Sequence, residues 1–186
     1  MSLEEKAGQM DQINIDIICN AERLELIPEA MDTVFGKYKI GSILNTMGKD
    51  CPTREWMCGI VEEIQEKSLK DIGIPCIYGL DMIHGASYLA EGTFFPQEIN
   101  IAATLNPEYA AAMGRSIGYE TRSGLVPWVF SPVMDLTRTS LWPRNYESWG
   151  EDPYIQSVMA STEVRAVQGD DPNHIDQYHC AVSMKH

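Results

Sequence analysis

The stretch GIPCIYGLD, residues 73–81, decides the fold. Gly73 and Pro75 are turn chemistry at its entry, Cys76 to Leu80 is a short apolar run, and Asp81 is a charge at its far end. A brief apolar run bounded by turn signals reads as a buried strand. Upstream, from Thr53, the residues Trp56, Met57, Ile60, Val61 and Ile64 recur at helical spacing. A helix feeding a buried strand with a polar tip is the repeating unit of a parallel α/β fold.

Working outward, the same alternation continues. SLEEKAGQM (2–10) opens with Ser2 and Glu5 at capping-box spacing, which predicts a helix. IGSILNT (40–46) is a short β-like run. Asn106-Pro107-Glu108 supplies an N-cap, a proline at the first helical position and an early acid, so a helix is expected to run to about Arg122 and stop near Gly124. LVPWVFSPVMD (125–135) is strand-like again. DPYIQSVMASTEVRAVQG (152–169) is helical, with Ile155, Val158, Met159 and Thr162 on one face, and CAVSM (180–184) is the last strand. The order is a helix followed by β-α-β-α-β-α-β. Every strand pair is bridged by a helix, so the strands are expected to be parallel with right-handed crossovers.

Two folds are built this way, an open doubly wound sheet and a (β/α) barrel. No glycine-rich phosphate loop follows any strand, which weakens the nucleotide-binding version. Four predicted strands do not close a barrel, which takes about eight. If the fold is a barrel, these residues make roughly half of one.

The 186 residues are 44% hydrophobic and 22% charged, a globular composition. A net charge of −13, from 14 basic and 27 acidic residues, leaves no basic stripe for phosphates, so nucleic acid is not expected as a partner. No apolar run approaches the roughly 18 residues of a membrane span, and the first residues do not read as a signal peptide. Cys19, Cys51, Cys58, Cys76 and Cys180 are odd in number and scattered, which fits mostly buried thiols in a reducing setting. His174 and His179 are five apart and do not share a helical face, so neither a metal site nor a cofactor is expected.

Both architectures place function at the carboxyl ends of parallel strands. Those ends offer Asn45, then Asp81 with His84 beyond it, then Asp135 and the segment LTRTSLWPRNYESWGEDPY, and finally Lys185 and His186. Trp142 and Trp149 fall in the same segment. Carboxylates that accept from adjacent hydroxyls, cations that donate to neighbouring oxygens and aromatic faces together suit a sugar. Charged strand tips are also often only solvated loop residues, but four such tips favour the sugar-binding reading.

The motifs SLEEKAGQM, GIPCIYGLDMIHG, TFFPQEINIAATLNPE, FSPVMDLTRTSLWPRNYESWGEDPY and AVSMKH resemble, in order and spacing, the N-terminal barrel of glycoside hydrolase family 3. The resemblance covers nearly the whole chain. It implies a TIM-type (β/α)8 barrel, of which residues 1–186 are the incomplete N-terminal part, and a retaining exo-acting β-glucosidase that releases terminal non-reducing β-D-glucosyl residues. The aspartate of the family's D-x-x-H-G motif, here Asp81, binds sugar hydroxyls in the −1 subsite. Arg144, in R-x-x-E-S, and the Lys185-His186 pair join it. Glu147 and Asp135 take supporting places, and His84 orients its loop.

Two departures stand out. TRTSLWPR (137–144) differs from the family's commonest pattern, with Pro143 where a glycine is usual. Retaining hydrolysis also takes two carboxyl groups roughly 5–5.5 Å apart. The resemblance places both the nucleophile and the acid/base beyond His186, so the chain alone is expected to be inactive. The expected partner is a β-linked glucoside or oligosaccharide. Exposed sheet edges predict self-association, two copies completing a barrel-like assembly, or marginal stability. The rival reading is a non-catalytic carbohydrate-binding or self-associating half-barrel module. Relatives of the family are often exported or periplasmic, which leaves the compartment open.

Overall fold

The expected alternation of helix and strand is present in a computed structural model of the chain, which describes residues 1–48 and 50–186. It falls into two units, Met1–Leu80 and Asp81–His186.

In the first unit, α1 (Leu3–Gln9) begins at the expected capping box: the Ser2 hydroxyl accepts from the Glu5 N–H, and the Glu5 carboxylate accepts from the Ser2 N–H. Next come β1 (Gln12–Asn14) and a small antiparallel pair, β2 (Cys19–Asn20) with β3 (Glu25–Leu26). Then α2 (Pro28–Met31) runs on through a wide helical turn over Asp32–Lys37 to β4 (Ser42–Leu44), α3 (Arg54–Asp71) and β5 (Ile77–Leu80). β1 lies parallel to β4 with Gln12 opposite Ser42, and β4 parallel to β5 with Ser42 opposite Ile77. The core gathers Ile15, Phe35, Ile43, Met57, Ile64, Tyr78 and Leu80.

Gln65 of α3 fixes the start of β5. Its side-chain amide donates to the Cys76 carbonyl at 2.7 Å and accepts from the Cys76 N–H at 3.0 Å. The Ser68 hydroxyl donates to the Ile74 carbonyl at 2.7 Å. Two polar positions on the inner side of α3 thus satisfy backbone groups that the turn into the strand would otherwise bury unpaired.

The second unit contains α4 (Glu98–Ala102), α5 (Pro107–Ser123), β6 (Trp128–Val129), α6 (Pro153–Gln168) and β7 (Ala181–Val182). Asn106 caps α5 and Asp152 caps α6, each followed by a proline at the first position. α5 and α6 pack closely because Gly114 and Gly118 line the contact. A Cβ on Gly114 would stand 2.9 Å from the Glu163 carbonyl oxygen, and one on Gly118 would stand 2.9 Å from that of Val167.

β6 and β7 are parallel, with Trp128 opposite Ala181. The pairing continues beyond the strands: Ser183 N–H donates to Val129 at 3.0 Å, Lys185 N–H to Pro132 at 3.2 Å and Met134 N–H to Lys185 at 2.5 Å. The 130–135 segment and the 183–186 segment therefore travel side by side to one end.

The α/β class and the parallel β/α units agree with the expectation, and they amount to about half of a (β/α)8 barrel. Three details differ. Five strands, not four, make parallel pairings among the described residues, because Gln12–Asn14 is a strand with a single apolar residue and no readable alternation. The strands are shorter than the apolar runs that signalled them: only Trp128–Val129 of 125–135 is regular strand. The buried face of α6 is Gln156, Met159, Ala160, Glu163 and Val167, rotated from the expected Ile155, Val158, Met159 and Thr162. Two polar side chains occupy core positions there, so hydrophobicity pointed to the wrong stripe.

Candidate functional site

All four candidate binding residues lie in the second unit, and the structure joins them in two linked groups. Asp81 directly follows β5, where the backbone leaves the strand. Lys185 lies beyond β7, bridged in parallel to Val133. The Lys185 ammonium forms an ion pair with Asp81 Oδ1. The lysine side chain is 17% exposed and the aspartate 31%, so this is a half-sheltered pair open to solvent on one side.

The second group centres on Arg144. Its Nε lies 3.0 and 3.1 Å from the two Glu147 carboxylate oxygens, and its Nη2 lies 2.5 Å from Oε2. A short helical turn over Asn145–Glu147 brings the carboxylate back onto the guanidinium. Arg144 Nη1 reaches His186 Nε2 at 2.9 Å, and His186 Nδ1 lies 2.7 Å from Asp135 Oδ2. A guanidinium can only donate, so Nε2 accepts, and the ring proton sits on Nδ1 facing Asp135. Glu147, first of all by hydrogen bonding, raises the Arg144 pKa further. Glu147 thus holds the arginine, and Asp135 holds the histidine.

His84 anchors the loop after Asp81. Its Nδ1 is 3.0 Å from the Phe95 carbonyl oxygen, its ring meets Phe94 edge-on, and the Phe95 N–H returns to the His84 carbonyl at 2.8 Å. Gly85 has φ +112, and a Cβ there would fall 2.0 Å from the Thr93 carbonyl oxygen, so the tight return of this loop requires glycine.

Other sequence readings change. Trp149 is 2% exposed and belongs to the core, so it offers no face to a ligand; Trp142 is half-buried. Asn45 directly follows β4 in the first unit with φ +70, and its carbonyl accepts from the Tyr78 hydroxyl at 2.5 Å. Cys19, Cys76 and Cys180 are buried, as expected of most of the thiols, and burial pushes Cys76 and Cys180 up to about 12. Among the described residues no group of three or more His, Cys, Asp or Glu side chains could hold a metal ion, and no helix is long and apolar enough to cross a membrane. A 680 Å³ cleft in the first unit, lined by Leu24, Met47 and Trp56 among others, includes no member of the charged cluster.

Sequence reasoning missed two residues altogether. Glu98 and Glu163 are fully buried carboxyls in the second unit. Glu98 Oε1 accepts from the Val133 N–H at 3.4 Å, and Glu163 accepts from the Ser131 hydroxyl. Glu98 lies within the motif TFFPQEINIAATLNPE and Glu163 within the helical run 152–169, but the sequence reading gives neither a role, because a glutamate on a helix reads by default as solvated.

A parallel β/α fold with carboxylates and cations gathered where its strands end is the arrangement of a (β/α) barrel or of a doubly wound sheet. The chain belongs to glycosyl hydrolase family 3, whose N-terminal domain model matches residues 2–186. It is 34% identical over 183 residues to a lysosomal beta glucosidase of Dictyostelium discoideum, across 91% of this chain and 22% of that protein. Among solved structures it resembles the exo-1,3/1,4-beta-glucanase of a Pseudoalteromonas species, with TM-score 0.83 and 25% identity over 100% of this chain and 23% of that one. It also resembles a mutant beta-glucosidase from Listeria innocua in complex with laminaribiose, with TM-score 0.78 and 26% identity over 100% of this chain and 25% of that one. The chain spans about a fifth of the length of the relatives it matches.

Proposed function

We infer that residues 1–186 are the N-terminal part of a family 3 barrel domain and carry one wall of a sugar-binding site. The parent enzyme is a retaining, exo-acting β-glucosidase that hydrolyses terminal non-reducing β-D-glucosyl residues. Asp81, Arg144, Lys185 and His186 bind the glycone. The observation that carries this reading is the Asp81–Lys185 pair beside the Arg144–His186 contact. A carboxylate next to an ammonium offers acceptor and donor together, and a guanidinium and an imidazole stand on the same rim, so neighbouring hydroxyls of one ring can be met by both kinds of group.

We assign no catalytic carboxyl to the cluster. Asp81 is held by Lys185, Asp135 by His186 and Glu147 by Arg144. On the resemblance to family 3, the nucleophile and acid/base are assigned to residues outside this chain. The test is turnover of an aryl β-glucoside by the purified chain beside an Arg144→Ala control. The expected result is no difference between them; turnover above the control would refute the assignment.

A second reading, a non-catalytic carbohydrate-binding or self-associating half-barrel module, has one observation in its favour. Ala181 and Val182 of β7 are only half-buried, and Met184 beside them is 64% exposed. An apolar strand left partly open is a surface for another strand or another copy. Light scattering separates the cases: a mass above the 20.9 kDa of one chain supports self-association.

A further inference from the structure

Glu98 and Glu163 are the least expected residues of the second unit. Each is 0% exposed, and each has one carboxyl oxygen, Oε2, without a hydrogen-bond partner. They belong to α4 and α6, which pack together. Their other oxygens grip a single segment at points two residues apart, the Ser131 hydroxyl and the Val133 N–H. Two residues of extended chain span at most about 7 Å, so the two carboxyls converge on one short stretch of backbone.

That stretch leads straight to the charged cluster. Val133 is bridged to Lys185, and Asp135, which orients His186, follows two residues later. The charged groups acting on Glu98 are Glu163 from α6, Glu147 from the short turn that packs on α4, and Lys185. The buried face of α5, the other helix against α4, is Ala110, Ala111, Met113, Gly114, Ile117, Gly118 and Thr121, with no ionisable side chain.

We propose that Glu98 and Glu163 share one proton and form a buried clasp that positions the 131–135 segment, and through it Asp135 and the Lys185–His186 tip. With both carboxyls ionised, two negative charges and two unpartnered acceptors would be sealed in the core, which burial strongly disfavours. One proton removes one of the two charges and turns one carboxyl from a pure acceptor into a donor that can serve the other. Burial, reinforced for Glu98 by the charge of Glu163, pushes both groups above the ordinary carboxylate range, Glu163 up to about 8. The link from the clasp to sugar binding rests on the glycone-wall reading; the shared proton does not.

Infrared difference spectra of the whole chain at pH 7, wild type minus the Glu98→Gln/Glu163→Gln double variant, are expected to show one protonated carboxylic acid C=O band alongside one carboxylate. Carboxylate bands alone, with or without dependence on an added cation, would overturn the proposal. A second measurement needs no variant: the Val133 amide resonance is expected to titrate with a midpoint above the ordinary carboxylate range. An amide shift flat between pH 5 and pH 9 would count against the clasp. Glucose affinity, read by calorimetry, is expected to weaken about threefold or more as pH rises through that midpoint, and to be flat in the double variant. Glucose affinity that does not follow the Val133 midpoint would remove the positioning role. If glucose does not bind at any pH, the glycone-wall reading fails, and the infrared and amide results alone decide the clasp.

Discussion

Lys185 pairs with Asp81 across 104 positions of sequence, and this contact ties the last residues of the chain to the turn that follows β5. The pair closes a single unit from its first residue to nearly its last, since that unit is Asp81–His186. It is therefore both a structural tie and the centre of the proposed glycone wall.

Asp81→Asn is the sharpest probe of the pair. It leaves a largely sheltered ammonium with a neutral partner, and losing a charge-assisted bond of this kind costs about 1.5–3 kcal/mol. The variant is expected to melt at a lower temperature than wild type. In the glycone-wall reading it also binds glucose about tenfold or more weakly, equivalent to about 1.4 kcal/mol. A thermal melt and a glucose titration on the same sample check both effects.

The buried glutamates give a pH dependence of definite sign. Burial raises Glu163 to about 8 from its ordinary value of 4.5, and because it faces Glu98 that value belongs to the pair, so the folded pair holds its shared proton where the unfolded state has released it. Stability from this group is full at and below about pH 4.5 and is lost as pH rises through about 8. The melting temperature is expected to fall from pH 5 to pH 8, and Glu163→Gln is expected to flatten that part of the curve. Identical pH slopes in the two proteins would be the contrary outcome.

Close packing of α5 on α6 makes Gly114 intolerant of a side chain. An added Cβ would lie 2.8 Å from Ala166 Cβ and 2.9 Å from the Glu163 carbonyl oxygen, and backbone cannot yield as a flexible side chain can. Gly114→Ala is expected to destabilise by about 1–3 kcal/mol despite alanine's better helix propensity, as chemical denaturation would show.

Much of this was legible in the sequence. Ser2, Asn106 and Pro107 marked helix starts through capping chemistry, which is local and therefore readable. Asp81, Lys185 and His186 could be named because polar residues at strand ends stand out against apolar runs, whereas Arg144 stands out only through the resemblance to family 3. Their pairing was not readable, because Lys185 finds Asp81, and Arg144 finds His186, only through tertiary structure. β1 was hidden because Gln12 and Asn14 leave no apolar alternation to detect. Trp149 looked like a rim aromatic because sequence does not say which way an indole faces. Glu98 and Glu163 were hidden most completely, because burying a carboxyl runs against its composition and is made tolerable only by Val133, Ser131 and each other.

Calorimetric titration of glucose into the 186-residue chain, beside Asp81→Ala, bears most directly on the claim that this chain is a glycone-binding wall. The account expects saturable binding by wild type and none by the variant. Absence of binding by a folded wild-type chain, or equal binding by both proteins, would contradict it.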